Sequence, residues 1–264
     1  MNKDLTEAQK DYAHFLPALS GFYATYVGKQ RHPDPDTGEL YVPDDRIPSN
    51  FQNNVESLNY LNLQEGQFQY KWTLYSAGHA ELDTTKFSPK EDMVRNRDRD
   101  NTWLLGDSGG FQIGKGVWEG DWKDPNCPKA QKKRDGVLRW MDAYMDYGMI
   151  LDIPAWVARS PAGAKATGIS TYQEAVEATR INNDYWMKNR TGACKFLNVL
   201  QGENFDDAED WYEQMKDYCD PVKYPDNHFN GWSMGGQNMC DVELLLKRIA
   251  VSYTHLTLPT TPYV

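Results

Sequence analysis

The chain has 264 residues, 40% of them apolar and 13% aromatic, with nine tryptophans and sixteen tyrosines. Disordered chains are poor in such bulky types, so this composition excludes disorder and allows one large domain or two small ones. The formal net charge of −10 repels phosphate at long range and excludes a non-specific nucleic-acid binder with an overall basic face.

Along the chain, residues 1–71 are expected to form an N-terminal extension. It includes an arm, Gly28 to Asn50, dense in Pro, Asp and Gly, which reads as a long surface loop. Residues 72–250 then alternate in period. Short apolar runs at Trp72 to Ala77, Thr102 to Gly106, Met149 to Ile153, Lys195 to Leu200 and Phe229 to Met234 are bounded by Gly, Asp or Pro and predict buried strands. Between them Val137, Trp140, Met141, Tyr144 and Met145 share one helical face. Further helices are predicted over Thr171 to Asn189, Asp206 to Tyr218 and Asp241 to Ala250. Repeated β-then-α units predict an α/β chain with a parallel sheet and right-handed crossovers, open or closed into a barrel. With about five strands visible, a (β/α)₈ TIM barrel would be incomplete at its C-terminus. Residues 251–264, VSYTHLTLPTTPYV, abandon the helical pattern and read as a non-native tail.

No apolar stretch approaches the roughly 20 residues that span a bilayer, and MNKDLTEAQKDYAHF lacks the apolar core of a signal peptide. No membrane partner is expected. The cysteines Cys127, Cys194, Cys219 and Cys240 lie far apart with no CxxC pair, which points to reduced thiols in a cytoplasmic setting. Two basic runs, Lys129, Lys132, Lys133 and Arg134, and Arg95, Arg97 and Arg99, are local candidates for a phosphate contact, but both read first as solvated loops.

Several polar residues follow predicted strands: Asp107, Asp152, Gln201 and the glycines of GWSMGG. In a barrel these strand ends converge on one mouth, where catalytic groups sit. Singly, each reads as a loop-capping carboxylate or amide. The densest string is Gly106-Asp107-Ser108-Gly109-Gly110-Phe111-Gln112. Adjacent glycines allow close approach of a flat ligand, the carboxylate accepts base N–H groups, and the phenyl ring offers a stacking face.

DSGGFQ resembles the signature of the tRNA-guanine transglycosylases, which exchange a guanine in a nucleic acid for a 7-deazaguanine base. Asp152 in ILDIPA, Gln201-Gly202 in VLQGE and the loop Gly231 to Gly236 follow in the order of that family, so the resemblance runs from about Trp72 to Gly236. It implies a (β/α)₈ barrel in which a carboxylate attacks the sugar C1′ to give a covalent glycosyl-enzyme, from which the incoming base displaces it. It further implies that Asp107 is the general acid/base, that Asp107, Ser108, Gly109, Gly110, Asp152, Gln201, Gly231 and Gly235 bind the base, and that Phe111 stacks on it. ILDIPAW departs from the family after the aspartate. The nucleophilic aspartate of a later strand and the C-x-C-x-x-C plus His zinc site are expected beyond about Ala250. Zinc is thus implied for a full-length parent, and this chain is expected to be inactive in exchange. Partners implied are tRNA or DNA, a 7-deazaguanine base and, as in the family, a second copy in a homodimer. Family members act on tRNA, while relatives in phages and bacterial defence islands modify DNA. The arm and the departure after Asp152 keep both substrates open.

Other readings remain. Gly109-x-x-x-x-Gly114-Lys115-Gly116 is one residue from a phosphate-binding P-loop, but Gly116 replaces the hydroxyl that would hold Mg²⁺. His79-Ala80-Glu81 echoes the H-x-E of zinc deaminases without their P-C-x-x-C. Asp107 and Asp152 could be the paired carboxylates of a barrel glycosidase. A non-catalytic, nucleic-acid- or base-binding subunit is the reading from a different class.

Overall fold

Short β-rich apolar runs alternating with amphipathic stretches give a mixed α/β chain. The structure, a computed structural model, describes residues 6, 13–31, 36–37, 49, 58–236 and 241–256. In chain order the elements are α1 (Gly21–Arg31), β1 (Trp72–Ser76), α2 (Asp92–Arg95), β2 (Trp103–Asp107), α3 (Gly110–Gly114), α4 (Pro128–Tyr144), β3 (Tyr147–Met149), α5 (Pro161–Thr167), α6 (Tyr172–Asn189), β4 (Lys195–Leu200), α7 (Phe205–Met215), β5 (Trp232–Met234) and α8 (Val242–Leu256). The strands form a five-stranded parallel sheet, β1 to β5 in chain order. Of the loop arm expected at Gly28 to Asn50, residues 28–31 close α1, and most of the remainder lies outside the described residues.

Two compact units divide the chain: residues 1–107 with 136–148, and residues 108–135 with 149–264. In the first, β1 and β2 pair from Trp72 opposite Trp103 to Ser76 opposite Asp107, and β2 pairs with β3 at Leu105 and Gly106. An extended segment, unforeseen in the sequence, adds to β1: Leu19 N–H donates to Leu74 O and Leu74 N–H to Pro17 O, at 2.7 and 3.0 Å. Gly106 lets α4 close on the strand, since a Cβ there would stand 3.3 Å from Met141 on the helix and 2.9 Å from Met145 just after it. The buried Glu91 carboxylate accepts from Trp140 Nε1 and from the Glu81 amide, each at 2.8 Å. Desolvation by burial raises its pKa above the ordinary carboxylate value.

The basic runs are solvated loops only in part: Lys129, Lys132 and Arg99 are exposed, but Arg97 and Arg134 are buried. Lys129 to Arg134 lie on α4 and Arg95 ends α2. Arg97 is buried, donates to Thr102 O, Thr102 Oγ1 and Tyr144 O, and pairs with Asp146 at 3.2 Å. Arg134 is fully buried in the second unit, donating to Asn182 Oδ1 at 2.5 Å and Trp122 O at 3.0 Å. A guanidinium out of water needs such a set of acceptors.

In the second unit, β4 and β5 pair from Asn198 opposite Trp232 to Leu200 opposite Met234. The strand expected at Met149 to Ile153 lies earlier, at Tyr147–Met149, and shares only Met149 with it. Ile150 N–H still bonds Leu197 O, but Leu151 O and Ile153 N–H are claimed by side chains of α6, and Pro154 has no N–H to continue a ladder. The expected helix end at Ala250 is also corrected: α8 continues to Leu256, because no Gly or Pro interrupts the sequence before Pro259. Residues 257–264 of the expected tail lie outside the described residues.

Helix α6 opens with a capping box: Thr171 Oγ1 accepts from Glu174 N–H, and the Glu174 carboxylate accepts from the backbone of Ser170 and Thr171. Thr171→Ala is expected to lower the unfolding free energy by about 1 kcal/mol in urea titration. The Ser170 N–H, foremost, with Lys123 and the Ser170 hydroxyl, holds the Glu174 pKa down at about 2. A depressed folded-state pKa stabilises above the unfolded value, near 4.3, and that stabilisation is lost as pH falls through the folded one. The cost of Glu174→Ala should therefore be full at pH 7 and shrink towards pH 2.

Candidate functional site

The segment after β3 is fixed by α6. Asn182 Nδ2 donates to Leu151 O at 2.6 Å, and Ile153 N–H donates to Thr179 Oγ1 at 2.9 Å. These contacts grip the backbone on both sides of Asp152. Arg134 in turn holds the Asn182 amide oxygen. The Asp152 side chain is buried, and its Oδ2 accepts from Gln201 Nε2 at 2.5 Å. Gln201 follows the last residue of β4, and its Oε1 accepts from Ala155 N–H at 3.4 Å.

Two glycines bound this pair. A Cβ on Gly110 would approach Asp152 O to 2.7 Å and Oδ1 to 3.0 Å, and a Cβ on Gly235 would reach 2.2 Å from Gln201 Nε2. Gly235 is drawn to the end of β4 by its N–H on Leu200 O at 2.9 Å, while its carbonyl accepts from Arg248 Nη1 at 2.8 Å. Beside Gln201 lies a cavity of about 170 Å³, lined by Trp156, Gln201, Gly202, Glu203, Asp241 and Arg248 among others. Burial lowers the Arg248 pKa, against the opposite influence of Asp241 and Glu203.

The second unit thus brings together Gly110, Asp152, Gln201 and Gly235. Ser108 is buried just ahead of α3, and Gly109 opens that helix at φ 80°, a left-handed conformation suited to glycine. Phe111 is 57% exposed on α3, its ring centroid 6.0 Å from that of Trp156. Asp107 belongs to the first unit, where it ends β2 and its carbonyl accepts from Ala77 N–H at 2.9 Å. Gly231 is not brought to this group. It stands at the entrance of β5 with its carbonyl on Asn198 N–H. In GWSMGG the central residues are themselves the strand, so only the last two glycines emerge at the end that carries Gln201.

Sequence reasoning missed four residues. Thr179 and Asn182 read as polar interruptions on an amphipathic helix, although their i, i+3 spacing places both on one face. Trp156 lies in the stretch where the sequence departs from the family pattern. Lys115 was weighed only as part of a P-loop, and its ammonium lies 5.3 Å from the Phe111 ring and 5.7 Å from the Trp156 ring. The P-loop reading itself fails. Gly110–Gly114 is helical, so the backbone between the two glycines cannot wrap a phosphate before a following helix.

Among the described residues, no three His, Cys, Asp or Glu side chains gather into a group fit to hold a metal ion. The zinc ligands that the family resemblance implies are expected beyond about Ala250, and Cys240 lies outside the described residues. No helix among those described is long and apolar enough to cross a membrane. Comparison with protein-family models, with curated proteins and with solved structures finds no match for this chain.

A carboxylate beside a carboxamide offers acceptors and donors on one edge. An amide nitrogen carries two N–H groups, so the one given to Asp152 leaves a second. The glycine positions are sterically strict. Gly110→Ala should lower the unfolding free energy by about 1–3 kcal/mol, because the methyl meets backbone rather than a flexible side-chain end. Chemical denaturation of the two chains measures this, and equal stability would show that Asp152 does not press on α3.

Proposed function

We propose that this chain carries a guanine-recognition site of the transglycosylase type, acting on tRNA or DNA and accepting a 7-deazaguanine base. The observation that supports the reading best is the buried Asp152–Gln201 pair, bounded by Gly110 and Gly235. The Asp152 carboxylate accepts from N–H groups on the base edge, and the second Gln201 N–H donates to a ring carbonyl. The glycines allow a flat heterocycle to approach the backbone. Phe111, exposed and one residue along from Gly110, supplies a stacking face.

Guanine must leave with a proton on its ring, and that proton transfer suits a carboxylate held near the base. The DSGGFQ resemblance gives this role to Asp107. Attack by a carboxylate at C1′ then breaks one glycosidic bond before the incoming base forms another, which divides a hard displacement into two easier steps. The resemblance places the attacking carboxylate on a later strand, beyond about Ala250. The same base-reading edge would serve a subunit that binds a base without exchanging it.

Calorimetric titration of guanine and 7-deazaguanine into the chain tests this reading. Binding of both is expected, and Asp152→Asn should weaken it about 10- to 100-fold, as for loss of a hydrogen bond to a charged group. Equal affinity in the variant would sink the assignment of Asp152.

A further inference from the structure

We infer that Lys115 is a phosphodiester contact for the nucleic-acid strand whose base enters the candidate site, held in readiness by the rings of Phe111 and Trp156. The inference rests on the base-recognition reading above. The geometry begins at Gly114, the last residue of α3. A Cβ there would come within 2.7 Å of the Trp156 ring, so glycine lets the indole lie against the helix end. The next residue is Lys115. Its backbone N–H bonds Phe111 O, which places Lys115 one turn beyond Phe111 and on the same side of the helix end.

The ammonium then lies 5.3 Å from the Phe111 centroid and 5.7 Å from that of Trp156, with the two rings tilted 54° to each other. Both distances fall within the range of cation–π attraction. Several lysine ammoniums on this acidic surface pair with carboxylates, among them Lys123 with Glu174, Lys129 with Glu119 and Lys216 with Glu213. Lys115 has only the two rings, and no carboxylate pairs with it among the described residues. Its charge is therefore not neutralised locally.

Trp156 connects this cation to the site, since it also lines the cavity beside Gln201. A nucleotide whose base stacks on Phe111 carries its phosphate at the ring's edge, within reach of the lysine. Phosphate contacts fix register and supply the salt-dependent part of affinity. On a chain of net charge −10, a cation next to the base pocket offsets repulsion of the strand where it must dock.

The test uses the 264-residue chain and Lys115→Gln and Lys115→Arg variants. A fluorescein-labelled single-stranded DNA containing one guanine, and an unmodified tRNA, are titrated at several salt concentrations, with free guanine titrated in parallel. Lys115→Gln should weaken binding of one or both strands several-fold at low salt, and the slope of log K against log salt should become shallower by about 0.7. Lys115→Arg should restore the slope, and the affinity for free guanine should be the same in all three. Loss from DNA alone or tRNA alone identifies the source of the phosphodiester. An unchanged slope in Lys115→Gln, or no binding of either strand by the wild type, would overturn the inference. If a strand binds with the expected slope change but free guanine does not bind, Lys115 stands and the base-recognition reading falls.

Discussion

A carboxylate withdrawn from water is stable only where donors replace its hydration. Asp152 is so placed, and the side chains around it follow from that requirement. Gln201 must stand at the end of β4 with its amide nitrogen turned to the acid. Gly110 and Gly235 must have no side chains, because each would collide with a member of the pair. The backbone around Asp152 must be gripped by Thr179 and Asn182, since a strand ladder no longer holds it there. Each group is the positioning element of the next, back to Arg134, whose buried guanidinium fixes the Asn182 amide.

This chain of support explains why polar residues sit in the core of the second unit. Asn182, Thr179, Asn183 and Asn198 are all fully buried, a composition that costs stability unless the groups satisfy one another. Asn183 Nδ2 donates to Asn198 Oδ1, and Asn198 Nδ2 donates to Met215 O. The network ties α6, β4 and α7 together. A site supported in this way keeps its donors and acceptors in place without a ligand, the condition for tight recognition of a small rigid base.

Much of this was legible in the sequence. β1, β2 and β4 fall within a residue of the apolar runs that mark them, and α6 follows from its Ser/Thr cap and periodicity. Asp152, Gln201 and Gly235 were legible as residues that follow strands. Gly231 was not separable from Gly235 by this rule, because a three-residue strand between them turns one glycine-rich string into two opposite ends. β3 was misjudged because Ile150, Leu151 and Ile153 are fully buried, yet two of their backbone groups bond to α6 side chains. Hydrophobicity reports burial and is silent on the bonding partner. The buried arginines were hidden for a similar reason, since a charge run carries no mark of the carbonyls that will surround it.

Asp152 and Gln201 are proposed to read together the edge of a guanine-type base. A crystal structure of the chain grown with saturating guanine tests it most directly. Base density is expected with its N–H edge within hydrogen-bond distance of the Asp152 carboxylate, its carbonyl on Gln201 and one face on Phe111. Guanine bound elsewhere, or no density at this pair in a crystal with the face open to solvent, would contradict it.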